Sequence, residues 1–287
     1  MWIYRGFLCT LLMIALVGCA KEPCATGDEF HSDSLGYHVL SLESDAQVTA
    51  IQDAHCVKGT LAIGGDVTRV ELPLLTSISG GLTITSNGTL TAVRLPVLES
   101  IGAYLAIQNN SAQPTFETIV APLLREVQSV WIGYNDDLKN IDFLQNVRSI
   151  SGNIDVQWNG QLQSFAGLSG LETVGGNIYI NNNPPLDFSA PALRTIGGRL
   201  EFASTDNLAA IALPILENVE TLKVRNKINL NSLDLSSLNH VRGDFVFENN
   251  WNLATCAIDQ LHAQVAAANG IDGSVLITNN DDGAVCN

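Results

Sequence analysis

Basic residues are scarce: 14 lysines and arginines stand against 29 acids, a formal net charge of −15. So acidic a surface repels phosphate backbones and anionic headgroups, which argues against nucleic acid or anionic lipid as a partner. Long apolar runs are missing as well. The hydrophobic stretch at residues 7–17 is shorter than the about 20 residues a spanning helix needs. Signatures of chemistry are absent too. The five histidines, His31, His38, His55, His240 and His262, make neither an HExxH pair nor a Cys/His spacing suited to zinc. No glycine pair runs into Gly-Lys-Ser/Thr and a helix, and there is no Gly-x-Ser-x-Gly elbow. Asp281-Asp282-Gly283 lacks EF-hand spacing. No metal and no cofactor are expected.

What the chain does have is a repeat. Gly152-Asn153-Ile154-Asp155-Val156-Gln157-Trp158-Asn159 is one copy, and variants run from about residue 59 to residue 280. The apolar-x-apolar pairs are Leu61/Ile63, Leu82/Ile84, Leu105/Ile107, Val130/Ile132, Ile154/Val156, Ile178/Ile180, Leu200/Phe202, Leu222/Val224, Phe245/Phe247 and Val275/Ile277. Neighbouring pairs start 21 to 25 residues apart, except the last step of 30 (275 − 245). Period-2 alternation marks a strand with one buried face. Triplets this short must pair with copies above and below, so the period predicts a solenoid.

Other positions keep register. Glycine precedes the first apolar residue by two at Gly59, Gly80, Gly152, Gly176, Gly198, Gly243 and Gly273, where a tight corner with φ > 0 is expected. Asparagine follows by five at Asn87, Asn110, Asn135, Asn159, Asn183, Asn250 and Asn280, with Asp66, Thr205 and Lys227 in the remaining coils. Stacked asparagines can bond the turn backbone and one another along the coil axis. Leucine follows by eight, as at Leu138 and Leu162, and a Leu-Pro-x-Leu-x-x-Ile segment such as Leu72 to Ile78 closes the coil, with proline in an extended corner. Open ends need covers. Ser44 to His55 and Thr255 to Asn269 read as short helices, the second with Ile258, Leu261, Val265 and Ala268 on one face and Gly270 as its stop.

Residues 1–18 read as a signal peptide, 19–35 as a tether and 36–287 as the solenoid. Leu16-Val17-Gly18-Cys19 resembles the bacterial lipobox, which implies lipidation of Cys19 and an outer-membrane or cell-surface location, with the lipid as the membrane contact. Loss of residues 1–18 removes one arginine and no acid, leaving 13 − 29 = −16. Four cysteines then remain: Cys24, Cys56, Cys256 and Cys286. An even count in an exported chain suggests disulfides. About 4.8 Å per coil separates the two ends by nearly 40 Å, whereas bridged Cα atoms lie within about 7 Å. Cys24–Cys56 and Cys256–Cys286 are therefore the expected pairs.

Cys56-Val57-Lys58-Gly59-Thr60-Leu61-Ala62-Ile63, following a helix, resembles the first strand and N-terminal cap of the receptor L-domain family, the leucine-rich-repeat-like ectodomain modules of growth-factor and insulin receptors. The closing Asn279 to Cys286 is similar to bacterial lipoproteins with such repeats. The resemblance implies a mainly β, right-handed solenoid, and the ten triplets set its length at about ten coils. The chain has more coils than one receptor L domain and lacks the cysteine-rich module between such domains, so receptor dimerisation is not carried over.

In the alternation, Ala62, Thr83, Ala106, Trp131, Asp155, Tyr179, Glu201, Lys223, Val246 and Leu276 point outward. Trp131, Asp155 and Tyr179 are adjacent, Gln157 and Asn181 flank them, and Tyr134 and Trp158 stand at strand exits. Aromatics exposed on a rigid sheet are common recognition anchors. These seven are the candidate ligand-binding residues, for an unidentified protein or glycan. The competing role for Tyr134 and Trp158 is to fill core corners. Two other functions compete: a purely structural envelope component, and a carbohydrate-active β-helix enzyme using Asp155 and Glu201. A Lys223–Glu201 surface ion pair speaks against the enzyme, and no catalytic residue is assigned.

Overall fold

The computed structural model describes residues 38–286, apart from 111–115, 117, 185–186, 204–207, 269 and 285. All ten expected triplets lie on strands of one parallel sheet, joined in sequence order. Ile154 pairs with Ile178, and Ile178 with Leu200. The result is a parallel β-solenoid of about nine turns, close to the ten anticipated. The inward residues of the triplets, such as Ile84, Ile132, Val156 and Phe202, are fully buried. Each removes a side chain worth about 1.5–3 kcal/mol from water, and together they form one continuous core.

Smaller parallel sheets build the other walls. One holds Arg69–Glu71, Ala92–Arg94 and Ile119–Val120; another holds Cys56–Val57, Ser77–Ile78 and Ser100–Ile101; a third holds Phe188–Ser189, Ala210–Ala212 and Ser232–Asp234. In the two middle coils 3-10 turns, Asp142–Leu144 and Ala166–Leu168, stand at this place instead. Beside them Phe165, Phe188 and Phe202 pack edge to face, with centroids 5.3 and 5.0 Å apart.

The asparagines form a buried ladder. The Nδ2 of Asn87, Asn110, Asn135 and Asn159 donates to Oδ1 of the asparagine one coil on, at 2.9, 2.9, 3.0 and 3.1 Å. The same nitrogens also donate to backbone carbonyls, as Asn110 does to Ile84 at 2.9 Å. Asp66 is exposed and does not extend the ladder, because a carboxylate has no proton to give to the buried Asn87 Oδ1, which lacks a donor. Lys227 occupies the position in a later coil and is fully buried.

Several local expectations are corrected. Among the register glycines, only Gly59 has positive φ. The others are required by the neighbouring coil: a Cβ on Gly80 would lie 2.7 Å from the Gly59 carbonyl carbon, and one on Gly273 2.4 Å from that of Gly243. The left-handed backbone falls instead four residues after the first apolar position, at Ser86, Asn109, Tyr134, Trp158, Asn182, Asn226, Asn249 and Asn279. The Leu-Pro corner is a β-turn and not extended, with Leu98 N–H donating to the Leu95 carbonyl at 3.1 Å; proline presets φ for its second position.

The ends differ from the reading too. A further strand, Val39–Leu42, pairs with Thr60–Ile63 and so begins the sheet. The first helix, α1, spans only Asp45–Ala50, with Val48 buried. The second, α2, spans Thr255–Ala267 and buries Ile258, Leu261 and Val265. Ala268 is exposed beyond its end. Gly270 serves close approach, since a Cβ there would meet the Asn239 carbonyl at 1.8 Å. Cys256 and Cys286 are bridged, Cα atoms 6.0 Å apart. Cys56 is also disulfide-bonded; its expected partner Cys24, like Cys19 and the signal segment, lies outside the described residues.

Candidate functional site

The expected outward row exists. Ala106, Trp131, Asp155, Tyr179, Glu201, Lys223, Val246 and Leu276 are register partners on successive strands. Gln157 pairs with Asn181 two residues further on. Strands hold these side chains at fixed spacing because each coil is bonded to both neighbours.

Trp131 is 43 % exposed. Its indole leans over Gly133, where a Cβ would come within 3.2 Å of Nε1. Ala106 faces outward beside Trp131 yet is buried, and Tyr104 and Trp131 both border the depression above it. That depression, about 500 Å³, is also bordered by Thr83, Gln108, Asn153 and Asp155.

Tyr134 and Trp158 do not fill the core; they are 43 % and 47 % exposed. Their rings lie 6.1 Å apart and 7° from parallel, an offset stack. Both residues hold left-handed backbone, φ 58° and 56°. A bulky side chain there is a genuine outlier.

Asp155 is half-buried, and burial pushes its carboxyl above the ordinary 3.8. Its Oδ1 is buried with no hydrogen-bond partner among the described residues, and so is Asn181 Oδ1. Asn181 Nδ2 donates to the Tyr179 hydroxyl at 3.2 Å. Burial, and then the Glu201 and Asp155 charges, raise the Tyr179 phenol above 10.0.

The expected Lys223–Glu201 pair is not formed. Glu201 is buried and accepts from Arg199 at 3.0 Å and Arg225 at 2.9 Å, while Lys223 reaches Asp244 at 3.1 Å. One charge-assisted hydrogen bond from each guanidinium engages each carboxylate oxygen, and the lysine goes to the next acid. Asp155 and Glu201 are two strands apart, with Tyr179 between. Among the described residues no three His, Cys, Asp or Glu side chains are grouped to hold a metal ion. Asp281 accepts from Gly283 N–H and Asp282 from the Thr255 hydroxyl, so both stabilise the closing turn. No described helix is long and apolar enough to cross a membrane.

Tyr104, Gln108 and Asn153 were missed as site members: Tyr104 and Asn153 precede the first inward residue of their triplets, and Gln108 holds the register place of Gln157 two coils earlier, across Gly133. The left-handed exits carry asparagine, serine or glycine in the other described coils, and only two carry a ring. Geometrically this is an aromatic and amide-rich face on a parallel β-solenoid. Comparison with protein-family models, with curated proteins and with solved structures finds no match.

Proposed function

We propose that this chain is a non-enzymatic recognition or adhesion protein that binds its ligand through the outer sheet face around Trp131, and that a lipid on Cys19 holds it at a bacterial outer membrane or cell surface. The observation that carries the recognition reading is the cluster of exposed aromatics, two of them on backbone their side chains disfavour. Rigid strands support the face, so binding needs little ordering of the protein. The buried, ion-paired state of Glu201 supports a non-catalytic reading, since a glycosidase pair needs both carboxyl groups at the substrate.

The test uses the full chain displayed on cells. Trp131→Ala with Tyr179→Ala is expected to abolish adhesion to the target surface while circular dichroism is unchanged. Full adhesion by that double variant removes this face from consideration. Labelled fatty acid should enter the wild type and not Cys19→Ser; equal labelling of both rejects the anchor.

A further inference from the structure

The residues around Trp131 restrict the chemistry of a ligand. Asparagine suits a left-handed exit on backbone grounds, because its short polar side chain tolerates that conformation. The chain uses it at Asn109, Asn182, Asn226, Asn249 and Asn279. Two adjacent coils instead keep Tyr134 and Trp158 there, stacked and exposed. Local backbone preference does not explain them, and strain of this kind collects where ligands are held.

The neighbouring polar groups are amides and one carboxylate. Asn181 is more than nine-tenths buried, and its Oδ1, like Asp155 Oδ1, receives no hydrogen bond from a described residue. A buried acceptor without a donor is expensive to keep. Both call for a ligand rich in donors. The cations next along the face, Arg199 and Arg225, are engaged by Glu201. Arg199 and Arg225 share the one Glu201 carboxylate, so what disfavours an anionic ligand is repulsion local to Asp155. The depression of about 500 Å³ that Trp131 and Asp155 border is in the size range of a small-ligand site; Tyr134, Trp158 and Asn181 lie outside its border, so a ligand that touches all of them is an extended chain. A peptide cannot add as a strand here, because every strand under the face is paired on both sides.

We infer that this face binds a neutral saccharide chain; the inference rests on the recognition reading above and narrows it. Pyranose rings carry an apolar C–H face and a rim of hydroxyl donors. The C–H faces lie on Trp131, Tyr134 and Trp158. Hydroxyls donate to Asp155 and Asn181 once the side chains covering those oxygens rotate, and the amide of Gln157 offers both donor and acceptor.

The test runs the full chain, in detergent, through gels containing neutral polysaccharides (β-glucan, α-glucan, mannan, soluble chitin oligomers) or uronate polymers (alginate, polygalacturonate). At least one neutral polymer is expected to retard the wild type. Tyr134→Asn with Trp158→Asn, which keeps the residue type favoured by the backbone, should weaken that binding at least tenfold with an unchanged or higher melting temperature. Retardation by uronates alone, by none of the polymers, or equally for the double variant overturns the inference. Treating the target surface with a glycosidase that degrades the retarding polymer separates it from the broader reading. Adhesion that survives complete removal of that polymer overturns the saccharide and leaves recognition standing, whereas no adhesion even to untreated surface overturns both.

Discussion

Two stretches of the same sheet invite comparison. Under Trp131, Asp155 and Tyr179 the inward residues are Ile132, Val156 and Ile180; under Glu201 and Lys223 they are Phe202 and Val224. All five are buried. Outside, the stretches differ. The Glu201 stretch is closed on itself, with Arg199, Arg225 and Asp244 completing its charges. The Trp131 stretch shows rings to solvent and keeps two acceptors without donors. Both stretches set buried apolar residues inward on paired parallel strands, so the core alone does not select the outer residues of either. The charged stretch is accounted for by its own ion pairs. The aromatic one is not, and the functional reading rests there.

The largest test breaks the shared part. Phe202→Ala removes a fully buried ring packed on Phe188, and about 3–5 kcal/mol of stability should go with it. Chemical denaturation should show that loss, while Trp131→Ala, on the outside, should stay within about 0.5 kcal/mol. A comparable loss at Trp131 would mean the two faces are not independent.

A second experiment sharpens the contrast. Trp158→Asn relieves left-handed backbone that costs a bulky residue about 1–2 kcal/mol. Since the Tyr134 stack is lost, a net gain near 1 kcal/mol or less is expected from melting curves. A clear destabilisation would show that the ring is held for packing.

The smallest effect is electrostatic. The folded Asp155 carboxyl sits above 3.8 because of burial, so the folded state binds its proton more tightly than the unfolded state. Its unfavourable contribution is present at neutral pH and is relieved as pH falls through the raised value toward 3.8. Asp244 behaves in the opposite sense. The Ser274 hydroxyl, then Lys223, hold it below 3.8, so its favourable contribution is lost only as pH falls beneath that value. Asp155→Asn should raise the melting temperature at pH 7 and bring no gain near pH 3. The same gain at both would reject burial of charge as the cause.

Much of this was legible because the repeat reports on itself. Ile154 and Ile178 are recognisable as neighbours since glycine, asparagine and leucine fall in step around both. Val39–Leu42 was not, because His38 stands where glycine is expected and Asp45 where asparagine is. Asp45 nevertheless does related work, accepting from the Thr68 N–H and hydroxyl at 2.8 and 2.6 Å. The glycines were found and misattributed. Their cause is the backbone of the next coil, a distance between segments some 20–30 residues apart, and local turn rules do not contain it. Glu201 went to Arg199, two residues back on its own strand, and to Arg225, diagonally placed on the next, whereas the outward row compares only residues directly abreast. At the face, residue types and register were readable, but the bent backbone under Tyr134 and Trp158 and the orphaned oxygens were not.

The bridge between Cys256 and Cys286 has a mechanical consequence. A tower in which each storey leans only on the next is dismantled from its top or bottom, never from the middle. The bridge ties the start of α2 to residues beyond the final strand, Val275–Thr278. Peeling from that side must therefore remove a closed loop of 30 residues as one block, while a reducing agent would let the same end come away residue by residue.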